Sequence, residues 1–203
     1  MSKKPLIVFE GIEGSGKSHH INKIANYLIS KKKKFIQIRE PGGNSNSEKI
    51  RKLILDNKSS FNKNTDLLLY LSARSENIVL IKKNYGKKII LIDRFVDSTL
   101  AYQHYGMGVS IKFIKSINSF LLKGVNIDFT FLNIVTLKNM KKRLLKRKKL
   151  NRYDQFSPIF YKKVQNGFIK ILKKNSKKYM KIDSNIDIEA NQNKIINKII
   201  ELI

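Results

Sequence analysis

Five short runs of apolar residues are spread along the chain, separated by longer stretches in which apolar positions recur every three or four residues. The runs are Pro5-Leu6-Ile7-Val8-Phe9, Phe35-Ile36-Gln37-Ile38, Ile89-Ile90-Leu91-Ile92, Phe129-Thr130-Phe131-Leu132 and Tyr179-Met180-Lys181-Ile182. They are rich in β-branched and aromatic residues and too short for helices, so they read as strands buried within a sheet. Between the first two, Ile21, Ile24, Ala25 and Leu28 fall on one face of a helix predicted over 17–31. The same spacing predicts helices over 47–56, 66–83, 136–148, 156–174 and 187–202, and a helical region over 97–122 interrupted near Gly106 and Gly108. Strands alternating with helices predict an α/β fold, a five-stranded parallel sheet with helices on both faces and right-handed crossovers. No repeat, linker or break in composition divides residues 1–203, so one domain is expected.

Composition narrows the chemistry. The chain carries 42 basic and 15 acidic side chains, a formal net charge of +27, and 41% hydrophobic residues, enough for a packed core. Such a charge invites a nucleic-acid reading, because clustered bases release counterions from phosphates. The lysines are scattered along the whole length, however, with asparagine and isoleucine also heavy throughout, which reads as compositional drift; no nucleic-acid partner is expected. Against that background the seven arginines are informative, since each is a candidate for a place that needs the planar guanidinium fork, whereas chance survival would scatter them without regard to any motif. Zero cysteines exclude disulfides, thiolate metal sites and a cysteine nucleophile. No apolar run approaches the roughly 18–20 residues of a membrane span, and the apolar segment near the start is too short for a signal peptide. A soluble cytoplasmic protein without a membrane partner is the expectation.

Gly11-Ile12-Glu13-Gly14-Ser15-Gly16-Lys17-Ser18 fits the pattern G-x-x-x-x-G-K-[ST] and sits between a predicted strand and a predicted helix. Glycines at this spacing let backbone N–H groups curl around phosphate oxygens at a helix N-terminus. Lys17 then reaches the β- and γ-phosphates, and Ser18 can ligate Mg²⁺. Glu13 is unusual in a loop that holds anions; its carboxylate must turn away from the phosphates, toward the metal or toward a hydroxyl of a second substrate. Asp93-Arg94 closes the third strand beside this loop, where the aspartate can hold Mg²⁺ or its water and the arginine can bridge donor and acceptor phosphates.

These features, with Arg39-Glu40-Pro41-Gly42-Gly43, Ala73-Arg74, Asp93-Arg94-Phe95, Ser98-Thr99-Leu100-Ala101-Tyr102-Gln103 and Asn151-Arg152-Tyr153-Asp154, resemble the thymidylate kinase family in its bacterial form with an acidic residue in the phosphate loop. The resemblance implies a P-loop NTPase-type fold, a homodimer, and transfer of the γ-phosphoryl of ATP to thymidine monophosphate with Mg²⁺. It further implies that Arg94 and Arg51 hold the acceptor's phosphate and that Pro41 shapes the base pocket, after a cis peptide bond. Tyr70 would stack on thymine, with Arg74 one turn later bonding the base. Ser98, Thr99 and Gln103 would line the polar edge of the base, and Tyr102 would press against the sugar. The basic segment 141–154 resembles the family's lid: Arg143 is expected on ATP, and Arg147 and Arg152 as catalytic arginines with Lys17 and Arg94. Arg143 and Arg147 should share a helix face, with Arg152 free to swing toward the γ-phosphoryl.

Departures from the family pattern include His19 beside Ser18, Asn133 after the fourth strand, and Asn151 and Asp154 where Asp and Glu are commoner, which puts acidic support for lid closure in question. Another nucleotide or deoxynucleoside kinase of this fold, or a nucleic-acid-binding P-loop ATPase, would share the phosphate loop.

Overall fold

A computed structural model describes residues 3–203. Its five strands are β1 (Leu6–Glu10), β2 (Phe35–Arg39), β3 (Ile89–Asp93), β4 (Phe129–Ile134) and β5 (Tyr179–Asp183). They form one all-parallel sheet in the order β2-β3-β1-β4-β5. Position in that order explains the strand sequences. The three inner strands β3, β1 and β4 are buried almost throughout, whereas the edge strands β2 and β5 leave Arg39 and Lys181 in solvent.

The helices are α1 (Lys17–Ser30), α2 (Ser45–Leu55), α3 (Lys63–Asn84), a short α4 (Val96–Thr99), α5 (Ile111–Leu121), α6 (Leu137–Leu144), α7 (Pro158–Lys174) and α8 (Ile188–Leu202). Alternation along β1 decides which residue meets which layer. Ile7 and Phe9 pack with Phe131, Ile24 and Leu28 of α1, and Ile195 and Ile199 of α8. Leu6 and Val8 face the opposite layer, with Ile90, Ile92, and Ile78 and Ile81 of α3. Removing a side chain such as Phe131, fully buried in this interior, costs about 3–5 kcal/mol.

Two departures from the predicted elements bear on function. The region 97–122 is not an interrupted α-helix: α4 runs into a π-helical stretch, Leu100–Gly106, before α5 begins. Its wider turn faces α7 so closely that a Cβ on Gly167 would lie 2.6 Å from the Tyr105 ring. In addition, α6 stops at Leu144 rather than 148, so Arg147 lies beyond the helix and does not share a face with Arg143.

Candidate active site

The carboxyl ends of β1 and β3 open into a cleft of about 400 Å³. Its floor is the phosphate loop. Gly11 adopts φ +139° with its Cα so close to β4 that a Cβ would stand 2.3 Å from the Asn133 carbonyl oxygen; no larger residue fits there. Gly16 caps α1 without a side-chain acceptor; the His19 N–H turns back to the Gly16 carbonyl at 3.1 Å, and the helix N-terminus, with Gly16, Lys17 and Ser18, borders the cleft. Lys17 is buried, and its Nζ donates to the carbonyls of Gly11 and Ile12 at 2.8 Å and to Ser15 Oγ at 3.3 Å. Burial and the Arg94 charge pull its pKa down to about 7, while Asp93, Glu13 and Glu10 act in the other direction. Ser18 Oγ donates to Asp93 Oδ2 at 3.0 Å, which places both expected metal ligands together at the mouth of the cleft. Gly11 and Ile12 themselves lie behind the wall, contributing carbonyls to Lys17 rather than surface.

Arg94 stands at the junction between this loop and the rest of the cleft, in the left-handed region at φ 66°. A non-glycine residue held there stores strain, which the surrounding contacts offset. Its Nη1 donates to the Gly11 carbonyl and its Nη2 to Glu13 Oε1, both at 2.9 Å, and Tyr102 donates its hydroxyl to Glu13 Oε2. Glu13 is thus turned away from the loop's N–H groups and toward the far half of the cleft. Burial opposes the Arg94 charge, but Tyr102, Glu13, Asp93 and Glu10 more than compensate and hold the guanidinium well above its ordinary range.

That far half is lined by Pro41, Arg51, Tyr70, Arg74, Thr99 and Gln103. Pro41 follows a cis peptide bond and its carbonyl accepts from Arg51 Nη1 at 2.5 Å. Tyr70 and Tyr153 meet edge to face with centroids 5.7 Å apart, and burial holds the Tyr70 phenol protonated. Arg74 is 1% exposed: Nε donates to Glu40 Oε2 at 2.8 Å, Nη2 approaches the same oxygen at 2.7 Å, and Nη1 donates to Asn118 Oδ1 at 2.7 Å. Burial raises the pKa of Glu40 and the Arg74 charge opposes it. Three buried polar atoms around this pocket, Glu40 Oε1, Thr99 Oγ1 and Gln103 Oε1, have no protein partner. Orphaned groups of this kind in a cleft point to a polar ligand.

Three expected positions differ. Ser98 lines the cleft, but its hydroxyl donates to Glu10 Oε2 at 2.5 Å, because the buried Glu10 carboxylate needs the donor; Thr99 and Gln103 keep their unpartnered oxygens beside it. Arg152 is not on the cleft wall. Asp66 at the start of α3 takes its guanidinium in an ion pair, and its Nε donates to the Ile54 carbonyl at 3.0 Å. Asp154, expected to weaken acidic support in the lid, is instead buried and holds Arg147 at 2.6 Å, while its other oxygen accepts from the Asn151 backbone and side chain in a capping box. Arg147 therefore lines the cleft with its guanidinium anchored to Asp154.

Arg143 donates to the Gly14 carbonyl at 2.9 Å and the Ser184 carbonyl at 2.6 Å, bridging the phosphate loop to the segment after β5. Beneath it lies a second cavity of about 220 Å³, walled by Gly16 and His20 on one side and Ile186, Ile188 and Asn191 on the other. Sequence reasoning missed this cavity, as it missed Glu40, Asn118 and Asp66. Exposed apolar residues at 186 and 188, beside a strand end, were the available signal.

A family model described as thymidylate kinase matches residues 9–195. The chain is 33% identical over 195 residues to a thymidylate kinase of Kosmotoga olearia, covering 95% of this chain and 94% of the relative. It is 39% identical over 170 residues to a thymidylate kinase of Thermosipho africanus, covering 83% and 84%. Among solved structures, thymidylate kinase from Ehrlichia chaffeensis superimposes with a TM-score of 0.78 at 31% identity, over 97% of this chain and 98% of that one.

Proposed function

The chain belongs to the thymidylate kinase family and is a dTMP kinase, a phosphotransferase of dTTP biosynthesis that uses ATP, and on that premise we propose how its cleft divides between the two nucleotides. The observation that carries the division is the place of Arg94, bonded to the phosphate loop on one side and facing the pocket of Tyr70, Arg74 and Gln103 on the other.

ATP lies on the loop side. The N–H groups from Gly14 to Ser18 and the α1 N-terminus cradle its phosphates, Lys17 turns from the loop carbonyls to the β- and γ-phosphates, and adenine enters the cavity beneath Arg143 against Ile186 and Ile188. Ser18 and Asp93 offer a hydroxyl and a carboxylate side by side, a donor set that suits Mg²⁺, which takes one or two protein oxygens and otherwise water and phosphate oxygens. When bound, Mg²⁺ supplies charge neutralisation at the transferring phosphoryl.

Thymidine monophosphate occupies the far half. Arg94 and Arg51 hold its phosphate, Tyr70 and Pro41 enclose the base, Thr99 and Gln103 meet its polar edge, and Tyr102 lies against the sugar. Arg74 has three of its five N–H groups engaged by Glu40 and Asn118 and keeps the rest for the ligand. Glu13 makes this the form of the family with an acidic loop, in which catalytic arginines come from the lid at 141–154; of Arg147 and Arg152, the anchored Arg147 is the one that lines the cleft. Catalysis is then positioning plus neutralisation of developing charge, with no strong base required.

Residues 1–203 act as one kinase domain in the cytoplasm, and the active form is a homodimer. Support for the dimer comes from Leu53 of α2, Leu68 and Val79 of α3, and Phe120 of α5, all strongly exposed on helices that pack side by side. The activity is tested by following ATP consumption across the nucleoside monophosphates. ADP and thymidine diphosphate are the expected products; hydrolysis independent of any acceptor, or activity confined to another acceptor, overturns the reading.

A further inference from the structure

Asp66 sits in the first turn of α3, one turn before Tyr70, and is 1% exposed. Capping does not account for it, because Asn62 already accepts from Asn64 and Thr65 N–H at the start of that helix. Its two oxygens have different partners. Oδ1 takes the Arg152 guanidinium, whereas Oδ2 takes the Tyr153 hydroxyl and, at 3.3 Å, Nε2 of Gln103.

The arrangement determines which way the Gln103 amide points. An ionised carboxylate only accepts, and the Tyr153 hydroxyl, 3.4 Å from the same Nε2, donates its one hydrogen to Asp66, so that toward Gln103 its oxygen can also only accept. Both N–H bonds of the amide are directed to these two atoms. Turning the amide over would set Oε1 against two acceptors. The amide is therefore locked with Oε1 as its unpartnered polar atom, buried at the wall of the acceptor pocket.

We propose that Asp66 is a positioning residue for base selection, fixing Gln103 as a hydrogen-bond acceptor so that the pocket takes a pyrimidine with a protonated N3 and rejects one whose N3 is a bare lone pair. Thymine and uracil carry that proton and cytosine does not. An acceptor facing the cytosine N3 leaves two buried lone pairs opposed, and a site built around a hydrogen bond discriminates strongly against a ligand that cannot make it. The inference rests on the assignment of Gln103 to the base edge.

Asp66→Asn tests it with almost no change of shape. Arg152 continues to demand an oxygen at the Oδ1 position, so the new NH₂ stands where Oδ2 was and donates to Gln103, whose amide then turns and presents Nε2 to the pocket. Dissociation constants for thymidine and deoxycytidine monophosphates, measured by calorimetry, are expected to show the preference for thymidine falling by about 10–100-fold. Asp66→Glu, which restores an acceptor-only group, and Tyr153→Phe, which leaves Asp66 in place, are expected to keep the preference. Asp66→Ser, able to donate or accept, gives an intermediate loss and carries the test if the Asn variant does not fold. An undiminished preference in folded Asp66→Asn, or equal losses in all these variants, overturns the proposal. Absence of any preference in the wild type instead overturns the assignment of Gln103 to the base.

Discussion

Arg147 allows charge and shape to be separated. Its guanidinium is anchored by a buried Asp154 and reaches the cleft, among lysines that carry the same charge on flexible stems. A planar fork can bond two oxygens of the transferring phosphoryl where an ammonium offers a point charge. Arg147→Lys is expected to lower kcat by about 10–1000-fold with a smaller change in KM for thymidine monophosphate, because the lost contact belongs mainly to the transition state. Lys146→Ala and Lys149→Ala, which delete a whole charge from the same segment, should do far less. Arg152→Lys, whose partner is Asp66 rather than the cleft, should also fall short of Arg147→Lys. Steady-state kinetics of the four variants check this, and equal losses at lysine and arginine positions would mean that the lid acts as a diffuse positive field.

Where β1 meets α4, a buried carboxylate ties two elements together. Glu10 Oε1 accepts from the Phe95 N–H at 2.8 Å and the Ser98 N–H at 3.2 Å, so it fixes the turn that presents Arg94. Burial, with help from the nearby Asp97 charge, raises its pKa to about 7. A carboxyl whose folded pKa lies above its unfolded value stabilises fully below the unfolded value, here 4.5, and that contribution is lost as pH rises toward 7. Glu10→Gln keeps the acceptor for both N–H groups and has no charge to bury. Thermal unfolding from pH 4.5 to 8 should therefore show the variant gaining on the wild type through that window, by on the order of 3 kcal/mol at its upper end. A difference independent of pH would rule out Glu10 as the titrating group.

For the molecule as a whole, the exposed apolar helices point to a second copy of the chain, whereas the charge of +27 is expected to bring no nucleic-acid partner, and each expectation has its own measurement. Sedimentation should find a dimer, and Val79→Asp combined with Phe120→Asp should shift it toward monomer, since a charge at the centre of an apolar contact must be desolvated without a partner. A monomeric wild type at micromolar concentration would refute the dimer. Duplex DNA at physiological salt should bind no tighter than the roughly 10⁻⁴–10⁻⁶ M of non-specific association. A submicromolar, sequence-preferring complex would show that the lysines are a designed surface.

The features decided by local sequence were readable before any coordinates. Apolar runs bounded by turns marked all five strands, and the Gly11–Ser18 spacing marked the phosphate loop, because backbone N–H groups and glycine torsions do the work there and need no distant partner. Arg51, Tyr70, Arg74 and Arg94 could be assigned to one cleft only through the resemblance to the family, and all four line its walls. What tertiary structure decided is which buried charge meets which. Arg152 and Arg147 look alike in a basic segment, yet Asp66, 86 residues from the first, and Asp154, seven from the second, send one to α3 and the other to the cleft. Ser98 bonds Glu10 for the same reason, and the π-helical turn at 100–106 packs closely against Gly167, a contact that no local pattern encodes. A desolvated charge must find its partner wherever the fold brings one within reach, and that distance is set by the sheet order rather than by neighbours in sequence.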